Sequence, residues 1–268
     1  MRRLLHPLLL AGALAMTLFP VYWLATLSLK REVDQFAVPP IWIRFAPTLA
    51  HYRDIFLERS FLTYLGNSVL AASLSTVLAV GIGTAAAYSL ARFPRPRLAF
   101  WILSTRMFPP IVSVIPLLLM IRWAGLLDSP AALIVMYTAF NLPFVVWMMR
   151  GFIAEIPPDL EEAAMTDGHT RWGALWRVVL PLVRPGLAAT AAFCLVIGWN
   201  EFLFAFVVAQ TDAAVTLPVG IAGRVTQYEI KWGAMSAAGV VAMLPVFAFA
   251  ALMQKHLVRG LSLGAVKG

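Results

Sequence analysis

EEAAMTDGHTRWGALWRVVLPLVRPG, residues 161–186, sets three acidic residues, three glycines and three arginines between two hydrophobic runs, each long enough to cross a bilayer. The surrounding chain is apolar. Of 268 residues 61% are hydrophobic and 13% charged, at a mean hydropathy of +0.81. A soluble domain uses about 45–50% apolar residues. This composition describes an integral membrane protein, and the polar stretch is a connection outside the membrane.

Working outward, a bilayer-crossing helix needs about 20 mostly apolar residues. Six such runs are present, near Leu5–Leu29, Asn67–Leu90, Phe100–Ile121, Ala131–Met149, Leu187–Ala209 and Gly233–Met253. Pro109, Pro110, Pro116 and Pro143 fall inside them and predict bent helices, which neighbouring helices make tolerable in lipid. Met1-Arg2-Arg3 and the apolar run after it look like a secretion signal. The run continues to about Leu29 without a small-x-small cleavage site, so the expectation is a retained first span.

Short cytoplasmic loops carry the excess of Lys and Arg. With both termini inside, twelve of the 21 basic residues lie on the cytoplasmic side and eight outside, five of the eight in the first external loop. The predicted architecture is therefore all-α and polytopic, with six transmembrane helices, N-in and C-in. Residues 1–30 form the first span, 31–65 an external loop, and 66–268 a five-helix core with a cytoplasmic loop at 151–186 and an external loop at 210–232. The net charge of +8 belongs to these loops and forms no nucleic-acid-binding face. Cys194 stands alone in an apolar run, which excludes a disulfide framework and a thiolate metal cluster within the chain.

The opening stretch has its own internal design. Pro157-Pro158 suits a helix start, Asp159, Glu161 and Glu162 place negative charge at the positive end of the helix dipole, and Gly168 is placed to end the helix in a left-handed turn. Leu160, Ala163, Ala164 and Asp167 recur at helical spacing and give a narrow face of small residues. A second segment, residues 170–180, carries Trp172, Leu175, Trp176 and Val179 at helical spacing and stops at Pro181; its tryptophans suit the membrane interface. The two make a helix-turn-helix whose first helix is either a plain connector or a docking element, and helical pattern alone does not choose.

The residues do choose. Glu162-Ala163-Ala164, three residues, Gly168, nine residues, Val178, one residue, and Leu180-Pro181 resemble the E-A-A-x3-G-x9-I-x-L-P motif of ABC importer permeases, with Val178 in place of Ile. The resemblance runs along the chain and is closest to the permeases of binding-protein-dependent carbohydrate uptake, of the maltose system's smaller-permease type. Ser28-Leu29-Lys30, Phe36 to Pro40, Pro47-Thr48-Leu49 with His51-Tyr52, Gly198 to Phe202 and the tail Gly260 to Gly268 follow in that family's order. The resemblance implies a type I importer permease fold in the bacterial cytoplasmic (inner) membrane. It implies that Glu162, Ala163, Ala164 and Gly168, with Asp167 added, form a coupling helix seated in a cytoplasmic ATPase. The partners it implies are a second homologous permease, two ATPase subunits that bind ATP and Mg, an extracytoplasmic sugar-binding protein, and membrane lipid. The chain itself would hold no cofactor and no metal and carry no catalytic residue; it has no G-x4-G-K-[ST] phosphate loop.

Asn67, Arg106, Asn141, Trp199, Asn200 and Glu201 lie in or near spans, where polar groups are costly and face a wet cavity or one another. They are candidates for a substrate pathway. Structural glue, such as an Arg106–Glu201 pair, is the competing explanation. Pro218, Gly220 and Gly223 mark the external loop that, by the resemblance, contacts the binding protein. The cargo implied is a sugar, oligosaccharide or polyol. Glycerol-3-phosphate is the competing cargo, and an ion-coupled secondary transporter is the competing class, although the inverted repeats expected of the latter are not visible. A membrane-embedded enzyme would need a catalytic constellation, and no Ser/His/Asp set or paired histidines share one element.

Overall fold

The computed structural model describes residues 2–225 and 230–265, with side chains described for residues 6–225 and 230–251. In chain order the helices are α1 (Arg2–Leu29), α2 (Glu32–Gln35), α3 (Ala50–Leu57), α4 (Arg59–Arg92), α5 (Pro96–Ser104), α6 (Pro110–Trp123), α7 (Pro130–Ala154), α8 (Asp159–Thr166), α9 (Arg171–Ala174), α10 (Leu180–Leu182), α11 (Arg184–Trp199), α12 (Leu203–Val208), α13 (Leu217–Ala222) and α14 (Trp232–Ala265). A 3-10 turn, Thr105–Met107, follows α5, and a π segment, Leu175–Val179, joins α9 to α10. Among the described residues the sole extended pairing is the isolated bridge between Val225 and Ile230.

Four helices are long and apolar enough to cross a membrane, and six spans result when each of two sharply bent pairs is counted as one. The predicted six runs are therefore present, but two are broken rather than kinked. In the third, Pro96–Met107 and Pro110–Trp123 meet at 98°. Phe108 and Pro109 each precede a proline, which disfavours the helical region, and both are extended, with ψ of 130° and 132°. The second bent pair is Arg171–Leu182 with Arg184–Trp199, which meet at 81° beside Val183, and the fifth apolar run is interrupted again at residues 200–202, between α11 and α12. At about 1.5 Å per residue the 16 residues of α11 reach only about 24 Å, short of the roughly 30 Å hydrocarbon thickness.

Boundaries differ too. The second span begins at Arg59, so the external connection expected over 31–65 ends at Glu58 and contains α2 and α3. Hydropathy marks only the apolar part of a helix, whereas residues 59–66 continue the same helix with polar members among them, Tyr64 bonding Asp212. α7 likewise runs to Ala154 and α11 starts at Arg184, which trims the loop expected over 151–186 from both ends, and α13 occupies the middle of the loop expected over 210–232.

The chain divides into two compact units, Met1–Leu62 with Leu217–Phe247, and Thr63–Thr216 with Ala248–Gly268. The first buries Ile55 and Phe61, and also Lys30, whose ammonium lies 4.7 Å from the centroid of the Trp23 ring and 5.4 Å from that of Phe45. The second has a core of Ala79, Ala87, Tyr88, Val145, Met149, Ile153, Leu175, Val179 and Cys194, which ties α4, α7, the π segment and α11 together. Cys194 is buried in it, a packing residue. The helices approach closely through glycine: a Cβ on Gly83 would lie 2.6 Å from Val145 Cγ1, and one on Gly186 would lie 2.5 Å from the Phe152 ring.

Candidate functional site

α8 is an eight-residue helix whose ends are both fixed by local chemistry. Its first turn holds Asp159, Glu161 and Glu162, favourable against the exposed N–H groups there. At its C-terminus the amide of Gly168 donates to Met165 O (3.1 Å) and that of His169 to Ala164 O (3.1 Å), the paired bonds of a Schellman cap. Gly168 sits at φ +90°, in the left-handed region where a side chain is strained.

The two faces of α8 differ sharply. Leu160, Glu162, Ala163, Thr166 and Asp167 are exposed, whereas Glu161 and Ala164 are buried. Of the residues expected to couple, Glu162, Ala163 and Asp167 thus share the outward face, Ala164 sits at its edge turned inward, and Gly168 ends the helix. The small-residue face inferred from spacing is split, because Ala164 packs against the protein.

Glu161, read from sequence only as a first-turn charge, is the residue that anchors the helix. Its carboxylate accepts from Arg92 Nε (2.6 Å) and from the Tyr88 hydroxyl (2.7 Å), both on α4. Arg92 Nη2 also donates to the Ile156 carbonyl (3.1 Å) in the connection before α8. The adjacent carboxylates Glu161-Glu162 point about 100° apart on a helix, so the two can serve different faces, but nothing in the sequence says which turns inward.

The segment after Gly168 is held as firmly. The Thr170 side chain accepts from Gly173 N–H and caps α9, and Arg171 lies over the Phe93 ring at 5.0 Å. The sequence predicts a stop at Pro181, but the helix passes it and ends at Leu182. Proline has no N–H to donate four residues back, and the ladder widens to the π segment just before it, with Leu180 N–H bonded to Leu175 O. Leu175 and Val179 are buried against the α4–α7–α11 core, while Trp172 and Trp176 are exposed, as interface anchors would be.

The polar span residues serve backbone groups. Arg106 donates to the Phe140 carbonyl (2.9 Å) and stacks on that ring at 4.4 Å; it does not pair with Glu201. Glu201 accepts from the Phe204 and Ala205 amides (2.9 and 3.2 Å), capping α12 across the break in span five. Asn141 is buried and reaches the Cys194 carbonyl at 3.4 Å, Trp199 is buried, and the exposed Asn200 bonds back to Val196 O (2.8 Å). Arg106 and Phe140 line a cavity of about 120 Å³ with Thr105, Leu117, Ala139 and Pro143. Small-molecule pockets are roughly 300–1,000 Å³.

Away from α8, the segment after α12 is tied down at several points. The Asp128 carboxylate, in the connection between α6 and α7, accepts from the amides of Gln210 (2.8 Å) and Thr211 (3.0 Å) and from the Thr211 hydroxyl (2.6 Å). Burial alone would raise its pKa; the Thr211 hydroxyl and these amides outweigh that and hold the carboxyl below its ordinary value. Tyr64 bonds Asp212, and Asn67 Nδ2 donates to the carbonyls of Ala213 and Val215, both at 2.9 Å. Asn67 is thus a structural clamp. Pro218 and Gly220 lie in α13 and Gly223 follows it; residues 226–229 of the same loop, and the side chains of the tail Gly260–Gly268, lie outside the described residues. These contacts sort Arg92, Phe93, Glu161 and Arg171 to one end of α4, and Tyr64, Asn67 and 212–215 to the other, the same division that the Lys and Arg count makes.

Residues 78–263 match the family model described as "binding-protein-dependent transport system inner membrane component". The chain is 39% identical over 254 residues to the sulfoquinovosyl glycerol transport system permease protein SmoH of Agrobacterium fabrum, with 94% of this chain and 89% of that one covered. It is 38% identical over 258 residues to the trehalose transport system permease protein SugB of Mycobacterium tuberculosis, covering 94% and 93%. Among solved structures, a chain of a bacterial ABC transporter involved in the import of the acidic polysaccharide alginate superposes with a TM-score of 0.80 at 22% identity, over 94% of this chain and 95% of the other.

Proposed function

Because this chain belongs to the family of binding-protein-dependent transport system inner membrane components, we propose that it is one membrane subunit of an ATP-driven importer of a sugar, oligosaccharide or polyol. A second, homologous permease completes the pathway, two ATPase subunits hold ATP and Mg, and an extracytoplasmic binding protein delivers the cargo. This chain performs no catalysis.

The observation that carries the reading is the division of α8 into an outward face of Glu162, Ala163 and Asp167 and an inward face fixed by Glu161. A helix that only connected two spans would need no such anchor. Held at its inner face and capped at Gly168, α8 offers small residues and two carboxylates to a partner, so a neighbouring backbone can approach closely. Closure of an ATPase dimer around ATP moves α8 as a unit, and the Leu175 and Val179 contacts pass that motion into the membrane core. The core then alternates between access to one side and the other.

The carbohydrate cargo is supported by relatives named for sulfoquinovosyl glycerol and trehalose transport. Arg106 donates to the Phe140 carbonyl and lies over that ring, a structural role that by itself points to no anionic cargo. The test is a mild-detergent pull-down from native membranes, with mass spectrometry of the co-eluting proteins, followed by uptake assays with a panel of neutral glycosides and glycerol-3-phosphate. A second permease and a Walker-type ATPase in the eluate, with competition by glycosides, is the expected outcome. A chain that elutes alone, under conditions that keep other complexes intact, overturns the importer; competition by glycerol-3-phosphate alone overturns the cargo.

A further inference from the structure

α4 differs from every other span. α1 contains Pro7 and Pro20, α7 contains Pro143, α14 contains Pro245, and the third and fifth spans are broken. α4 runs for 34 residues with neither proline nor break. Proline removes a ladder hydrogen bond and is the usual cause of a sharp kink, so of the six spans α4 is the one built to move without bending.

Polar attachments are made toward both of its ends. At one end the Arg92 guanidinium holds both Glu161, inside α8, and the Ile156 carbonyl, in the connection leading to α8, while Tyr88 takes the second Glu161 oxygen. Both carboxylate oxygens are engaged in a buried site, where an ion pair is screened little by solvent. At the other end Asn67 donates both its amide hydrogens to the carbonyls of Ala213 and Val215, and Tyr64 bonds Asp212. The 25 helical steps from Asn67 to Arg92 span about 37 Å. Between them α4 presents small buried residues, Ala71, Ala72, Ser75, Ala79, Gly83 and Ala87, to its neighbours. Such a face brings the α4 backbone close to its neighbours, as where Val145 of α7 sits against Gly83.

We propose that α4 is the transmission strut of the permease, carrying displacement of the coupling helix directly to segment 212–215 on the opposite face of the membrane. Arg92 and Glu161 are its positioning residues at the cytoplasmic end, and Asn67 is the positioning residue at the other. The proposal rests on the coupling-helix reading and adds a route that bypasses the α9–α10 contacts. It is reciprocal: an event at 212–215, such as the arrival of a loaded binding protein, bears on α8 through the same helix.

The test uses the assembled transporter, co-purified with its ATPase and reconstituted in lipid, and reads the ratio of ATP hydrolysis with loaded binding protein to hydrolysis without it. Arg92→Lys keeps the charge but cannot reach both acceptors; Glu161→Gln keeps the shape but not the charge; Asn67→Ala removes the bonds to Ala213 and Val215. Each is expected to lower the ratio by about tenfold, within the usual range of coupling energies. The double variant Arg92→Lys/Asn67→Ala is expected to be no lower than the worse single, because one strut is cut twice. Tyr88→Phe, which removes one hydroxyl, supplies a milder version and is expected to lower the ratio less. A wild-type ratio in Arg92→Lys and Tyr88→Phe, or effects of Arg92→Lys and Asn67→Ala that multiply, would overturn the strut. Glu162→Arg separates this from the coupling reading. If Glu162→Arg keeps both the ATPase and transport, the coupling helix itself is refuted; if it loses them while Arg92→Lys keeps a wild-type ratio, only the strut fails.

Discussion

Gly168→Ala isolates the cap of the coupling helix from everything around it. A Cβ added at Gly168 meets no atom within 4 Å, so the substitution brings no clash inside this chain and its cost is purely conformational. Holding alanine in the left-handed region at φ +90° costs about 1–2 kcal/mol. The backbone can escape by flipping to negative φ, but it then forfeits the bonds from Gly168 to Met165 and from His169 to Ala164, each worth about 0.5–1.5 kcal/mol net. The flip thus costs about 1–3 kcal/mol and the strained turn about 1–2, and the cheaper route sets the loss at about 1–2 kcal/mol, a factor of about 5–30 in the closed population. Amide hydrogen exchange in a lipid nanodisc measures that population. The expected result is exchange at Gly168 and His169 faster by this factor, with Gly151→Ala, which also meets no neighbour and sits within α7, as the control that leaves both amides unchanged. Wild-type exchange in Gly168→Ala would refute the argument, because it would show that the left-handed turn is not what ends α8.

Gly81 and Gly83 stand two residues apart on α4 and make opposite predictions. Gly81→Ala fills open space and should raise thermal stability in detergent by about 0.5–1 kcal/mol, whereas Gly83→Ala drives a methyl against Val145 and should lower it by about 1–3 kcal/mol; shifts of the same sign would show that the α4–α7 approach is looser than described. Asp128 has its carboxyl pKa depressed in the folded chain, so its anchoring of Gln210 and Thr211 is fully present above the ordinary aspartate value of about 3.9 and is lost as pH falls through the lower folded value. Exchange at those two amides, corrected for intrinsic rates, should be flat from about pH 8 to 5 and rise only below about 4, and a midpoint between 5 and 7 would contradict the assignment. Asn141→Leu replaces a long bond to Cys194 O in the membrane core, where such bonds average about 0.6 kcal/mol, so unfolding should barely shift; loss of transport with stability intact would return Asn141 to the substrate pathway.

Hydrophobic run length made the number of spans legible, and the spacing from Glu162 to Pro181 made the coupling loop legible, because both are one-dimensional patterns. Gly168 was readable for the same reason: only a left-handed turn calls for glycine at that distance from the helix start. Glu161 was not. Its role depends on Arg92 and Tyr88, about 70 positions earlier, and a charge count assigns Arg92 to topology without showing which carboxylate it meets. The breaks were half visible, since Pro109-Pro110 announces a bend, but its 98° depends on both preceding residues adopting extended backbone. The break at residues 200–202 has no proline, and its cause is Glu201, which offers a carboxylate to the amides of Phe204 and Ala205 and so begins a new helix.

Glu201 also changes how the other polar span residues are understood. A chain that breaks a helix inside a bilayer frees carbonyls and amides that no water is there to satisfy. Glu201 and Arg106 stand at the two broken spans, and each is bonded to backbone: Glu201 to the amides that open α12, Arg106 to the carbonyl of Phe140 on the adjoining α7. Composition alone suggests recognition of a polar cargo by such residues, yet the bonds they make here are to backbone groups. The breaks put sharp bends in two spans, while α4, with neither proline nor break, stays straight between the coupling helix and the opposite face. The polar side chains that sequence offers as a pathway are therefore first of all the means by which an apolar bundle can hold a rigid helix beside two jointed ones, which is the combination that alternating access requires.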